Sequence, residues 1–115
     1  RDLLIGVTSF FRDADVFEKL KSDVLCKLFV ERTNDDPIRI WVAGCANGAE
    51  AYTMAMLCNE VRQEVGATCD VQIFATDIDE RALSIGRKGC YPIGIEKEVS
   101  PERLDRFFTK RGKRY

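Results

Sequence analysis

The sequence has no histidine among its 115 residues, and it has only three prolines and a single tryptophan. Without histidine, neither a Ser-His-Asp triad nor a Cys-His pair is available for nucleophilic catalysis within this chain. Five cysteines are present, but no two of them have CxxC spacing. With no histidine and no clustered cysteines, a zinc site is not expected, and we predict that the protein uses no metal.

The sequence also lacks long apolar runs. None approaches the roughly 20 residues that a membrane span requires, and no signal-peptide pattern opens the chain. We therefore predict a protein that is not membrane-inserted. An odd number of cysteines, several of them inside apolar stretches, is typical of reduced, buried thiols in a cytoplasmic protein.

An excess of one charge is missing as well, since 18 Lys plus Arg face 19 Asp plus Glu and the formal net charge is −1. A nucleic-acid-binding protein usually has a concentrated basic face, so no nucleic-acid partner is predicted. We interpret the one basic cluster as a solvated tail. It consists of Lys110, Arg111, Lys113 and Arg114.

What is present is an alternation of helix and strand patterns. Apolar residues at spacings of three and four predict a helix over residues 13–31 and another over residues 50–65. β-Branched and aromatic runs predict strands at residues 38–43 and 71–76. The inner face of the second helix is predicted to hold Ala51, Met54, Cys58, Val61 and Val65.

Two shorter helices complete the pattern. Residues 80–88 are predicted to form a helix that ends at Gly89. An irregular stretch follows Pro92, and Ser100 is predicted to cap a last helix. That helix has one apolar face, formed by Leu104, Phe107 and Phe108.

This order predicts one α/β domain with a parallel sheet. Residues 1–36 form a leading segment and helix, and residues 37–115 form a βαβα unit. Two strands are few for a parallel sheet, which is normally covered on both faces. Either the rest of the sheet has been removed or another chain completes it. Because the chain also begins at Arg1 without a methionine, we expect it to be a fragment of a longer protein. Exposed sheet edges further suggest a homodimer.

A candidate cofactor site lies beyond the carboxyl ends of the two strands. The loop that begins at Gly44 lets backbone approach a ligand closely, and Asp77 can accept hydrogen bonds from ribose hydroxyls. Alternatively, the loop is only a tight turn, and Asp77 caps the next helix, as Asp79 could also do. The loop is not G-x-G-x-x-G. An adenosine without phosphates, such as S-adenosylmethionine, therefore fits better than NAD or FAD.

Three motifs resemble those of CheR-type chemotaxis receptor methyltransferases. The segment WVAGCANGAEAY at residues 41–52 resembles their W-x-A-G-C-S-T-G-E-E-P-Y. The segment ATDID at residues 75–79 resembles A-T-D-I-D, and GVTSFFR at residues 6–12 is similar to N-x-T-x-F-F-R. The resemblance implies a Rossmann-like class I methyltransferase fold, of which only the N-terminal part is present.

The resemblance also implies a role for individual residues. Thr8, Arg12, Glu50 and Asp77 are expected to bind S-adenosylmethionine, with Gly44 in the loop between them. Glu50 would receive the methionine ammonium and Asp77 the ribose. Arg12 would lie near the methyl-transfer centre as the catalytic residue, orienting a substrate carboxylate. The alternative for each is a turn cap or a surface ion pair.

The family's activity is methyl transfer from S-adenosylmethionine to glutamate side chains of chemoreceptors, which leaves S-adenosylhomocysteine. We expect this activity of the parent protein and an inactive fragment. Departures at Gly6 and Ala49 leave a second possibility, a non-catalytic S-adenosylmethionine-binding or docking module of a signalling protein. A third is part of a dinucleotide-dependent dehydrogenase, which affinity for a dinucleotide would reveal.

Overall fold

The computed structural model describes residues 9–31, 36–44 and 47–115. Both strands and the helix before Gly89 have the predicted bounds, and the long central helix begins one residue earlier than predicted. In chain order the elements are α1 (Ala14–Lys19), a π-helical segment (Leu20–Leu25), α2 (Cys26–Glu31), β1 (Ile38–Ala43), α3 (Ala49–Val65), β2 (Val71–Thr76), α4 (Glu80–Lys88), a 3-10 helix (Ile93–Lys97) and α5 (Pro101–Phe107).

β1 and β2 form a parallel two-stranded sheet, as predicted. The register pairs Ile38 with Val71 at one end and Ala43 with Thr76 at the other. Both strands therefore finish at the same edge of the sheet. The segments that follow the two strands therefore begin next to each other. The candidate site was predicted at this edge.

A first apolar cluster fills the space between α2, α3 and one face of the sheet. Its buried residues are Leu25, Phe29, Ile38, Leu57, Cys58, Val61 and Cys69. Burial raises the pKa of the Cys58 thiol to about 11, so this thiol stays protonated at neutral pH. Cys26, Cys58, Cys69 and Cys90 are all free thiols. Cys58 and Cys69 are buried, as predicted, whereas Cys26 and Cys90 are half-buried.

A second apolar cluster joins the other side of α3 to the C-terminal part of the chain. Its buried residues are Phe10, Ala49, Met56, Tyr91, Ile95 and Val99. Leu104 and Phe107 of α5 pack against it, as predicted. Phe108 packs there too, but it follows the end of the helix in an extended conformation. Ser100 caps α5, because its hydroxyl accepts a hydrogen bond from the Arg103 amide.

Three predictions of local structure were wrong in detail. The helix over residues 13–31 contains a π-helical segment at Leu20–Leu25, where the extra residue per turn shifts the face that packs inward. The buried face of α3 includes Thr53, Met56 and Leu57, because this helix packs against both clusters and not along one stripe. The stretch after Pro92 contains a 3-10 helix.

The basic segment after α5 is anchored through its backbone. Tyr91 and Tyr115 exchange two backbone hydrogen bonds of 2.9 Å, and the Ile93 amide donates to the Lys113 carbonyl at 2.9 Å. The side chain of Lys113 is nevertheless exposed.

Across residues 9–31, 36–44 and 47–115, no helix combines the length and the apolar character needed to cross a membrane.

Candidate functional site

The edge where both strands end carries two of the predicted binding residues. Ala43 pairs with Thr76 at the last register position, so Gly44 and Asp77 leave adjacent strands side by side. Gly44 has a φ of +71° and open space where a side chain would lie. Parallel strands thus bring a glycine backbone and a carboxylate to one place, as the sequence predicted.

Asp77 does not cap α4, which removes one alternative explanation for its position. Asp79 is the cap, since its Oδ1 accepts hydrogen bonds from the Arg81 amide at 3.0 Å and the Ala82 amide at 3.2 Å. Asp77 Oδ1 instead accepts from the Asp79 amide at 2.8 Å. The half-buried Asp77 carboxylate is therefore oriented by the turn that follows β2.

The two residues before α3, Asn47 and Gly48, pack directly on α4. Gly48 has a φ of +92°, and a Cβ there would come within 3.0 Å of both the Gly86 Cα and the Tyr91 hydroxyl. The Tyr91 hydroxyl donates to the Asn47 carbonyl at 2.7 Å. Asn47 Oδ1 in turn accepts from the Ala49 amide at 3.0 Å, at the start of α3. Only glycine satisfies both the positive φ and the close approach at position 48.

Glu50 lies on the first turn of α3, where the field of the helix favours a negative charge. Its side chain is exposed. Among the described residues its carboxylate has no salt-bridge partner. The chain therefore presents an accessible carboxylate at the end of the loop that begins at Gly44.

The turn that carries Arg12 is strained, and side chains from other elements hydrogen-bond to its backbone. Phe11 has a φ of +52°, a conformation that is rare for a bulky residue and costs of order 1–3 kcal/mol. The Phe11 amide donates to Thr53 Oγ1 at 3.1 Å, and the Phe10 amide donates to Glu98 Oε1 at 2.8 Å. Arg12 follows directly and is exposed, so α3 and the segment before α5 set the position of its backbone.

A charged cluster reinforces this arrangement. Arg103 Nε lies 2.7 Å from Glu60 Oε2, and Lys21 Nζ lies 3.0 Å from Glu60 Oε1. The hydrogen bonds from Arg103, followed by those from Lys21, lower the pKa of Glu60 to about 2. The Arg103 guanidinium also stacks over the Phe11 ring at 4.3 Å. The cluster thereby joins α5, α3 and the π-helical segment to the strained turn.

Comparison with known proteins identifies the family. Residues 6–115 match the family described as CheR methyltransferase, SAM binding domain. The chain belongs to this family. The two-stranded parallel sheet with its helices is accordingly part of the Rossmann-like methyltransferase fold of the CheR domain, as the sequence predicted.

Curated relatives of this CheR-type chain agree with the match. It is 39% identical over its whole length to a protein of Rhodobacter capsulatus named "Uncharacterized 104.1 kDa protein in hypE 3'region", of which it covers 12%. It is 40% identical over 74% of its length to a chemotaxis protein methyltransferase of Borreliella burgdorferi, covering 31% of that protein. It is 36% identical over 91% of its length to chemotaxis protein methyltransferase 1 of Pseudomonas aeruginosa, covering 39% of that protein. The chain thus spans well under half of each relative.

Most of the predicted binding residues lie in the described part of the chain. Gly44 and Asp77 follow the two strands at the carboxyl edge of the sheet, Glu50 lies in the first turn of α3, and the turn of Arg12 is bonded to α3 one turn beyond Glu50. Thr8 lies outside the described residues. Sequence reasoning missed the contributions of two further residues, Thr53 and Glu98. A hydroxyl within a helix and a carboxylate in an irregular stretch follow no local pattern that would have singled them out.

Proposed function

We propose that this chain is the S-adenosylmethionine-binding part of a protein that methylates glutamate side chains of chemoreceptors. The observation that carries the proposal is the register of the sheet. It places Gly44 and Asp77 side by side at the edge where ligands bind in open α/β sheets. The CheR family match and the names of the relatives support the same reaction class.

The residues at this edge suit the chemistry of S-adenosylmethionine. The Asp77 carboxylate would accept hydrogen bonds from the two ribose hydroxyls, and the exposed Glu50 carboxylate would pair with the methionine ammonium. Gly44 would allow the backbone to approach the cofactor, and Thr8 would add a contact from the first motif. The loop at residues 44–50 lacks the G-x-G-x-x-G spacing with which a backbone approaches a pyrophosphate, so a dinucleotide fits less well.

The proposed transfer requires alignment more than proton transfer. S-adenosylmethionine supplies, when bound, an activated methyl group on a sulfonium. The substrate glutamate, with an ordinary pKa of about 4.3, is already ionised at neutral pH, so the transfer requires no histidine as a general base. Arg12 would hold the incoming carboxylate with paired hydrogen bonds. Well-oriented intramolecular reactions gain about 7–11 kcal/mol from such positioning.

The test is calorimetric titration of this chain with S-adenosylhomocysteine. Asp77→Asn is the informative variant, because an amide keeps an acceptor for the Asp79 amide but removes the charge. We expect the dissociation constant to rise about 10- to 100-fold, because hydrogen bonds to a charged group contribute roughly 1.5–3 kcal/mol. Asp70→Asn is the matched control, since Asp70 is exposed and precedes the opposite end of β2.

Two results would count against the proposal. If the unchanged chain bound NADH more tightly than S-adenosylhomocysteine, the dinucleotide alternative would be favoured. If Asp77→Asn and Asp70→Asn weakened binding equally, the cofactor would not sit at the carboxyl edge of the sheet.

Glu50→Gln, with the exposed Glu102→Gln as its control, tests the ammonium contact in the same titration.

A further inference from the structure

We propose that Thr53 is a positioning residue whose buried hydroxyl holds the turn of Arg12 against the start of α3. This inference rests on the proposed function, because it concerns the relative placement of two proposed binding residues, Arg12 and Glu50. It assigns a role to a side chain that is fully buried and is expected to touch neither the cofactor nor the substrate.

The hydroxyl of Thr53 makes two hydrogen bonds, and their directions are fixed. The Phe11 amide can only donate, so Thr53 Oγ1 accepts from it at 3.1 Å. The hydroxyl proton is then left for the Ala49 carbonyl, 2.7 Å away. One side chain therefore links the backbone of Phe11, the neighbour of Arg12, to the backbone of Ala49, the neighbour of Glu50.

The turn needs such a link because it is strained. Phe11 has a φ of +52° without the freedom of glycine, so the turn relaxes to a commoner conformation unless other contacts oppose that change. The contacts that do so include the Thr53 hydroxyl, the Glu98 carboxylate on the Phe10 amide at 2.8 Å, and the Arg103 guanidinium over the Phe11 ring at 4.3 Å. Of these, only the Thr53 contact is anchored in the first turns of α3, close to Glu50.

Loss of the hydroxyl should therefore weaken binding by lowering the fraction of molecules in which the turn has the observed conformation. If the turn adopts the observed conformation only part of the time, the apparent dissociation constant rises by the inverse of that fraction. Valine has nearly the shape of threonine but no oxygen, and serine keeps the oxygen with one methyl group less. The pair Thr53→Val and Thr53→Ser consequently separates the hydrogen bonds from the packing.

The first measurement is the titration with S-adenosylhomocysteine, repeated with these variants. We expect Thr53→Val to raise the dissociation constant about tenfold, which corresponds to roughly 1.4 kcal/mol, and Thr53→Ser to stay within about threefold of the unchanged chain. Val61→Ala is the control for general destabilisation, because Val61 is fully buried two turns further along α3, in the first apolar cluster. It should unfold more easily and yet bind normally.

The second measurement does not depend on the cofactor. Amide hydrogen exchange followed by NMR should show protection of the Phe11 amide falling at least tenfold in Thr53→Val and persisting in Thr53→Ser. An unchanged Phe11 amide in Thr53→Val, or equal losses of affinity in Thr53→Val and Val61→Ala, would overturn the proposal. Absence of any binding by the unchanged chain would count against the proposed function instead, and exchange at Phe11 would still decide the role of Thr53.

Discussion

The two faces of the small sheet differ sharply in burial. On one face Ile38 and Val42 are 2% and 5% exposed, and Ile38 packs against residues of α2 and α3. On the other face the register pair Trp41 and Phe74 is 71% and 55% exposed. The second face mixes this exposed aromatic pair with polar side chains, and within the described residues only the first face is covered by helices.

The difference shows which contacts stabilise this chain. The apolar cluster on the covered face joins both strands to α2 and α3, whereas the opposite face adds two side-chain hydrogen bonds along the sheet. These bonds join Trp41 Nε1 to Thr76 Oγ1 at 3.0 Å and Arg39 Nε to Gln72 Oε1 at 3.2 Å. We therefore expect substitutions on the covered side to change stability strongly and those on the exposed side to change it little.

The largest effect is expected for Leu57→Ala. Leu57 is fully buried in the cluster under the covered face, and a leucine-to-alanine change at such a site lowers the free energy of unfolding by about 2–5 kcal/mol. Trp41→Ala removes a larger side chain from the exposed face, yet it should lower that free energy by less than about 1 kcal/mol. Urea unfolding followed by circular dichroism measures both. Equal losses would show that the two faces contribute alike.

The next effect concerns the charged cluster on the helical side. The pKa of Glu60 is lowered to about 2 in the folded chain, below its ordinary value of about 4.3 when unfolded. Between these values the unfolded chain binds a proton that the folded chain does not, so stability is lost as the pH falls from about 5 towards 2. Above that range, the pairing of Glu60 should contribute about 2–3 kcal/mol.

Glu60→Gln tests this expectation. The variant should be less stable than the unchanged chain by that amount at pH 7, and the difference should shrink steadily towards pH 2. Glu64→Gln is the matched control, because Glu64 also pairs with Lys21 but its side chain is 56% exposed, so its pairing should contribute at most about 1 kcal/mol. A difference between Glu60→Gln and the unchanged chain that stayed constant down to pH 2 would contradict the assigned pKa.

Much of this fold was predictable because its signals are local. The strands at Ile38–Ala43 and Val71–Thr76 are dense runs of β-branched and aromatic residues, and α3 and α4 end at glycines in the left-handed conformation. The π-helical segment and the wide buried face of α3 were not predictable from periodicity. The wide buried face arises because two apolar clusters pack on α3 from different sides, which is a property of the tertiary structure.

The candidate site divides in the same way. Gly44 and Asp77 follow strands directly, so the parallel register was enough to predict that they would lie together. The placement of Arg12 relative to α3 depends on the Phe11–Thr53 hydrogen bond, which joins residues 42 positions apart. No local pattern in the sequence contains that contact. The family resemblance supplied the role of Arg12, and the structure supplies the contact that holds its backbone.

Substitutions on the exposed face are expected to change stability least, and the fluorescence of Trp41 tests the exposure of that face most directly. It is the only tryptophan, so acrylamide should quench the emission of the folded chain almost as efficiently as that of the chain in urea. The same measurement tests the expected homodimer. If a second copy covered the exposed face, quenching would weaken as protein concentration rose. Quenching that is strong at every concentration would place any dimer contact elsewhere, because an indole buried in an interface is shielded from the quencher.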